Sequence, residues 1–502
     1  MRRGCRSLVF GLVLALAGCG FTGGGEDADT LRVAVTIPPR ANWSPASDDA
    51  LLMQRLGVTE TLVDGAMDGT AQPGLAESWQ RVTPTEWRFT LAEGVRFQSG
   101  EPVTAQAAAE SINRVVHDPA PPRALRDTIK QADALDDRTL AVRTAAPDAI
   151  LPQRLSAANT AVLAPAAIRP DGSVDPARGA GTGPFQVTGA ESDQRVTLQR
   201  FDGYRDGPAK VARAEVRFVE DASARVNGLR SGEFDLIDKV PVSQLAEVRG
   251  DSELRVDAVN LPRTTALHLN TAGGPFADPR LRSAARAAID RAGLVSGVLQ
   301  GEGVAASRYF GPAVPWSEQH PPTAPDPVAA HREVAEITGG KPVPITIGTY
   351  PDRPELPALT TVVADELGRA GFTVRIVQEP AGSIEPRILS GELDAAVYSR
   401  NQLVDVPDAA AHLTSDFSCR GGFNLDHFCA PELDSLLAQL PEISDPARRT
   451  AVFRRADDLL AERIAGIPLV HEQQRFAYRE AVSGVPADPL ERDFLTKEVA
   501  PR

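Results

Sequence analysis

Cysteine is scarce in this chain, with four among 502 residues. Cys5 and Cys19 sit near the N-terminus, which leaves Cys419 and Cys429 for the body. That excludes a scaffold stapled by many bridges, and the C-x2-C and H-x3-H spacings of zinc sites are absent. Aromatic residues are only 5%, and Trp43, Trp79, Trp87 and Trp316 are the only tryptophans. A basic excess is also missing: the formal charge is −14, a balance that argues against binding nucleic acid or anionic lipid. After residue 19 no apolar run approaches the roughly eighteen residues of a membrane-spanning helix. Catalytic motifs are lacking too. There is no G-x-S-x-G elbow and no P-loop, and His471-Glu472-Gln473-Gln474-Arg475 lacks the second histidine of H-E-x-x-H. Gly179-Ala180-Gly181-Thr182-Gly183 looks like a phosphate-binding run, but Pro184 follows where a helix should start. A tight turn into a strand at Phe185-Gln186-Val187 is the expectation. These absences shift the reading from catalysis to binding.

What is present begins with Arg2, Arg3 and Arg6, followed by an apolar segment from Leu8 to Leu16 and then Ala17-Gly18-Cys19. Nine residues at ~1.5 Å each cannot cross a ~30 Å hydrocarbon core, so the segment reads as a removable signal. Small residues just before a cysteine resemble the bacterial lipobox. Residues 1–18 are expected to be a lipoprotein signal peptide, with Cys19 as the lipidated N-terminus; an ordinary secretory signal with a chance cysteine is the alternative. Without the signal arginines the formal charge becomes −17. Residues 19–30, rich in glycine and acid, form a tether of roughly 18 Å root-mean-square reach. The protein is thus expected outside the cytoplasm, held to the outer face of the cell membrane. There, Cys419 and Cys429 are expected to pair, with Gly421-Gly422 turning the loop between them. A metal site with His427 or His412 is the rival.

The body, about 480 residues with 42% hydrophobic content, buries a large core in two or three lobes. Strand-like and helix-like segments alternate, without internal repeats. Leu31 to Val35 and Trp87 to Leu91 alternate as strands, and Gly94 marks a turn. Ala105 to His117 reads as a helix capped by Thr104. Asp278-Pro279 and Asp445-Pro446 each pair an N-cap with a first-turn proline. The first precedes Leu281, Ala285, Ala288 and Ala292 on one face; the second precedes Phe453, Ala456, Leu460 and Ile464. Pro431 opens a helix that buries Leu433, Leu436, Leu437 and Leu440, and Pro327 a short one in a Pro-rich connector. The chain is mixed α/β.

Eight blocks in order carry a family resemblance. Pro73 to Trp79, Trp87 to Leu91 and Gly94 to Ala105 resemble the signature of the family-5 extracellular solute-binding proteins, the peptide- and nickel-binding components of ABC importers. Gly181 to Phe185, Leu269-Asn270-Thr271 with Pro275 to Arg280, and Ala288 to Arg291 continue it. Gly391 to Ala395 and Ile467-Pro468-Leu469 complete it. The resemblance runs from about Leu31 to the C-terminus. It implies a periplasmic-binding-protein-like clamshell of two main lobes plus an extra inserted domain. Lobe I would comprise 31–48, 166–262 and 474–502, inserted lobe II 49–165, and lobe III 263–473. The hinge would fall near Leu261-Pro262-Arg263 and His471-Glu472. The implied partners are a small ligand and an ABC permease with its ATPase. The implied receptor is a monomer without cofactor or enzymatic activity.

In dipeptide binders of this family an aspartate pairs with the peptide's α-amino group. Asp405 in Asp405-Val406-Pro407-Asp408-Ala409 matches that place, and an enclosed ammonium needs such a partner. Arg353 resembles the arginine that holds the peptide carboxylate. Val406 and Ala409 depart from the usual aromatic and proline, and Arg400-Asn401-Gln402 replaces a Trp-Gly run. Arg400, Asn401 and the scarce Trp43 join the candidate ligand set. A pocket with less stacking surface and an extra cation would favour an anionic or chelate ligand. Peptide capture leads, and a nickel-type metal chelate is the alternative. A directly held metal ion is not expected, since no histidine cluster is evident. A secreted hydrolase or a non-transport sensor are further alternatives.

Overall fold

The computed structural model describes residues 29–191 and 193–501; Cys19 and the signal segment lie outside them. Eleven strands form one mixed sheet whose centre is a pair of long antiparallel strands, Leu254–Leu269 and Gly466–Arg479. Beyond Gly466–Arg479 the order is Leu236–Ile237, Thr30–Val35, Arg213–Phe218, Arg195–Arg200 and Phe185–Glu191. Beyond Leu254–Leu269 it is Ala395–Asn401, Val343–Thr349 and Phe372–Gln378, and the eleventh strand, Val304–Ala305, pairs with Gly466–Arg479 off this path. The central ladder runs from Leu254 opposite Arg479 to Asn260 opposite Gln473, breaks, and resumes at Thr264 opposite His471. Pro262 lies in the break. It has no N–H for a ladder, and its carbonyl accepts from Gln402 N instead, at 2.8 Å. The sheet therefore has two halves that meet at an irregular seam.

A separate antiparallel sheet orders Ala76–Thr83, Glu86–Leu91, Thr139–Thr144 and Ile129–Ala134, and helix Ala105–Val116 packs on its last strand. Thr104 caps that helix by accepting from Ala107 N. One apolar cluster, from Leu267 to Val470, covers the second half of the main sheet. A larger cluster joins Phe89 and Ile112 to Leu433, Leu440 and Phe453. The C-terminal helices thus share a core with the four-stranded sheet.

Both Asp-Pro starts behave as helix openings: Pro279–Ala288 and Pro446–Arg463 begin under the carboxylates of Asp278 and Asp445. The first helix departs from expectation at its end. Ile289 is extended and Asp290 caps a new turn by accepting from Gly293 N, so Ala292 leaves the buried face and is exposed. The glycine run is a packing device. A Cβ at Gly181 or Gly183 would meet the Val58 or Gly57 carbonyl oxygen at 1.9 and 2.3 Å, and the Gln98 amide bonds the carbonyls of Val58, Gly183 and Phe185. Cys419 and Cys429 form a disulfide, so neither sulfur is left for a metal. Among the described residues no helix is long and apolar enough to cross a membrane.

Candidate ligand cleft

A cavity of about 590 Å³ opens at the seam of the main sheet, a volume in the range of small-molecule sites. One wall comes from residues that follow strands of the first half: Thr36 and Arg40, Glu220 to Arg225, and Lys239. The other comes from Pro351 to Leu359, after Val343–Thr349. Leu261, Thr265, Glu472 and Glu491 line it at the seam.

The seam is built from ion pairs. Arg353 Nη1 meets Glu472 Oε2 at 3.0 Å, and Glu472 Oε1 accepts from Thr265 Oγ1 at 2.6 Å and Ser399 Oγ at 2.5 Å. Arg263 Nη2 meets Glu491 Oε2 at 2.8 Å, and Asn401 Nδ2 donates to the same oxygen at 2.8 Å. Burial works against every charge here, but the guanidiniums of Arg353 and Arg263 more than offset it and hold both carboxyls below their usual range. Two arginines and two glutamates thus balance. Sequence reading found Arg353, and placed Arg263 and Glu472 only as hinge neighbours. Glu491 carries no motif and was missed; it lies 228 residues from Arg263.

Lys239 was also missed. It lines the cavity, half-buried, from a backbone at φ 51°, where a non-glycine residue is uncommon. Burial pushes its ammonium down to about 8; Asp238 and Glu491 act to raise it, Arg353 and Arg55 to lower it.

The other candidates lie apart from the cavity lining. Asp405 is exposed, and its loop is held from behind: Asn401 Oδ1 accepts from Leu403 N and Val404 N, at 3.0 and 2.9 Å. Arg492 donates to the carbonyls of Val404 and Asp405, at 2.8 and 3.3 Å. Asn401 itself is buried with both ends of its amide used. Burial, then the Asp405 charge, raises the Asp48 carboxyl above its usual range, so Asp405 and Asp48 share one field. Arg400 is committed to Asp416 through two bonds of 2.7 and 3.1 Å. Its guanidinium lies 4.1 Å from the Phe423 ring centre, and Arg123 stacks at 3.9 Å and pairs with Glu385 at 3.0 Å. The Cys419–Cys429 loop presents that ring. Trp43 is buried in the large cluster, and its backbone N–H donates to Asp49 Oδ2 at 2.9 Å. Among the described residues no group of three or more His, Cys, Asp or Glu is placed to hold a metal ion.

The structure is an α/β fold with a small-molecule cavity at the seam of two half-sheets. The family model for bacterial extracellular solute-binding proteins, family 5 (middle), matches residues 70–424, and the chain belongs to that family. A probable D,D-dipeptide-binding periplasmic protein of Escherichia coli is 26% identical over 93% of this chain and 91% of its own length. NikA of Brucella suis, solved with Fe(III)-EDTA, aligns with a TM-score of 0.84 at 21% identity, covering 94% of this chain and all of its own. A periplasmic binding protein of Helicobacter pylori, solved with the peptide STSA, aligns at 0.79 and 20% identity, covering 94% and 98%. These likenesses carry the fold. Membership places the chain among extracytoplasmic solute-binding proteins, which capture ligands and do not catalyse.

Proposed function

We propose that the chain is the substrate-binding lipoprotein of an ABC importer, capturing a small peptide between its lobes and delivering it to a membrane permease. The cavity at the seam carries this reading, since it lies where the two halves of the sheet can close on a ligand. The lobe limits above and the lipid anchor at Cys19 belong to the same proposal. The relative named for dipeptides and the fold neighbour holding a peptide support a peptide over a chelate. Arg400 speaks in the same direction, because Asp416 already takes the charge that would have drawn an anionic chelate.

Asp405 is the proposed partner of the peptide's α-ammonium. Its side chain is exposed while its backbone is fixed by Arg492 and Asn401, which leaves the carboxylate ready for a ligand. A hydrogen-bonded charge contact contributes ~1.5–3 kcal/mol, so Asp405→Ala should weaken dipeptide binding roughly 10–100-fold. Calorimetry with free and N-acetylated dipeptides tests it. Acetylation should weaken the wild type by a similar factor and matter little in the variant. Equal binding of both peptides by the wild type refutes the role of Asp405. Binding of a nickel–histidine chelate but of no peptide transfers the site to the chelate reading.

A further inference from the structure

Five cations line the cavity, and four of them are engaged. Arg353 pairs with Glu472, Arg475 sits 3.6 Å from Glu302 and 3.9 Å from Glu355, and Arg40 lies 3.9 Å from Glu220. Arg225 donates to the carbonyls of Val219, Glu220, Asp238 and Lys239. The fifth is Lys239. Its ammonium makes no hydrogen bond or ion pair among the described residues. The nearby Asp238 is already spent, accepting from Thr36 N and Thr36 Oγ1 and pairing with Arg55 at 3.3 Å. The Lys239 backbone is held in place by the Arg225 bond to its carbonyl, in a left-handed conformation that the fold must stabilise against. A half-buried ammonium at the cavity wall with no protein partner is only partly desolvated, and it is placed to meet an anion that arrives from outside.

We infer that Lys239 is the anion-recognising residue of the cleft, taking a carboxylate of the ligand, while Arg353 is a positioning residue neutralised by Glu472. The inference rests on the cavity being the capture site and deepens that reading. It assigns the ligand class as a carboxylate-bearing one, met by a peptide C-terminus and equally by an amino-acid chelate. Arg353, first matched to this task by resemblance, then acts by holding Glu472 and the seam.

The test uses Lys239→Met, which keeps the length and the φ requirement of the side chain and removes only the charge. Binding of free and C-terminally amidated dipeptides, and of a nickel–histidine complex, is measured on the full chain by calorimetry. The expected result is a roughly 10–100-fold loss for the free peptide, with amidation weakening the wild type but not the variant. The variant should melt no lower than the wild type, because it removes a charge that had no partner. A second readout is proton uptake. Burial, opposed by Asp238 and Glu491 and reinforced by Arg353 and Arg55, brings the amine down to about 8, so near that pH a carboxylate arriving beside it draws in a fraction of a proton. Calorimetry in two buffers of different ionisation enthalpy should record it for the wild type and not for Lys239→Met. If peptide binds both proteins equally, Lys239 is not the anchor and the capture reading stands. If only the chelate binds, and Lys239→Met weakens it, the anchor stands and the peptide falls. If Lys239→Met melts clearly lower, the lysine is structural and the inference is overturned. If neither probe binds the wild type, the capture site and its anchor fail together.

Discussion

Lowering the pH from 7 to 5 separates two buried groups, His471 at the seam and Asp457 on helix Pro446–Arg463, that respond in opposite directions. His471 is buried, its Nδ1 is 2.9 Å from Thr264 Oγ1, and burial pushes its imidazole from 6.5 to about 4. The folded chain therefore keeps it neutral where the unfolded chain protonates it. This stabilisation is complete above pH 6.5 and is lost as the pH falls towards 4; between pH 7 and 5 the loss is ~2 kcal/mol. Asp457, buried and accepting from Tyr309 N at 3.2 Å, is pushed by burial from 3.8 to about 7. Its sign is reversed. The folded chain holds the proton that the unfolded chain has released, so acidification from pH 7 to 5 returns ~2 kcal/mol. The two nearly cancel in the wild type. In His471→Gln the Asp457 gain remains alone, and the variant should gain ~2 kcal/mol relative to wild type on going from pH 7 to 5. In Asp457→Asn the difference should have the opposite sign and similar size. Any packing loss in either variant is independent of pH and drops out of the comparison. Urea unfolding at the two pH values provides the measurement. A slope for His471→Gln within ~0.5 kcal/mol of wild type would refute the claim that the imidazole is kept neutral.

Asp408 and Arg449 form a buried two-bond pair, at 2.9 and 2.7 Å, just behind the Asp405 loop, and Asp408 also caps helix Ala409–Phe417. Asp408→Ala leaves a buried guanidinium unpaired and should cost about 3–5 kcal/mol in urea unfolding. A loss below ~1 kcal/mol would mean that water reaches the pair. At the other end of the chain, Cys19→Ala should release the protein from membranes, since acyl chains contribute ~0.8 kcal/mol per buried methylene. Retention of the variant in the membrane fraction contradicts lipidation there.

Local signals were legible wherever one or two residues decide a backbone. Thr104, Asp278 and Asp445 each satisfy an N–H of the first helical turn, and each marks a real helix start. The disulfide was legible because only two cysteines remained to pair. The face that was to include Ala292 misled, because Asp290 offers a second cap and the chain takes it in place of one more helical turn. The site was legible only where a family motif points. Arg353 lines the cavity, but Glu491 reaches Arg263 through a contact that no periodicity encodes. Asn401 carries polar chemistry in its name, yet its oxygen shapes the Asp405 loop and its nitrogen holds Glu491. Lys239 had no signal at all. What sets it apart is the lack of a partner, and partners are known only once distant segments have been brought together.

The balance of charge at the seam bears on how a ligand would close the cleft. Arg353, Arg263, Glu472 and Glu491 satisfy one another without a ligand, so the ligand's leverage must come from groups that remain. Asp405 follows strand Ala395–Asn401 in one half of the sheet, and Lys239 follows Leu236–Ile237 in the other. On the proposed assignment, a zwitterion engages both halves at once. Two charge contacts of ~1.5–3 kcal/mol each supply ~3–6 kcal/mol of preference for the closed state. Moving a two-state equilibrium from ~1:99 to ~99:1 takes ~5.5 kcal/mol, so the pair of contacts is of the size needed and either one alone is not. A peptide blocked at one end would deliver about half, leaving open and closed forms about equally populated. Small-angle scattering with free, acetylated and amidated dipeptides would then show compaction for the first and an intermediate radius for the other two. Full compaction with a blocked peptide would mean that closure is driven by apolar contacts and not by the two charges.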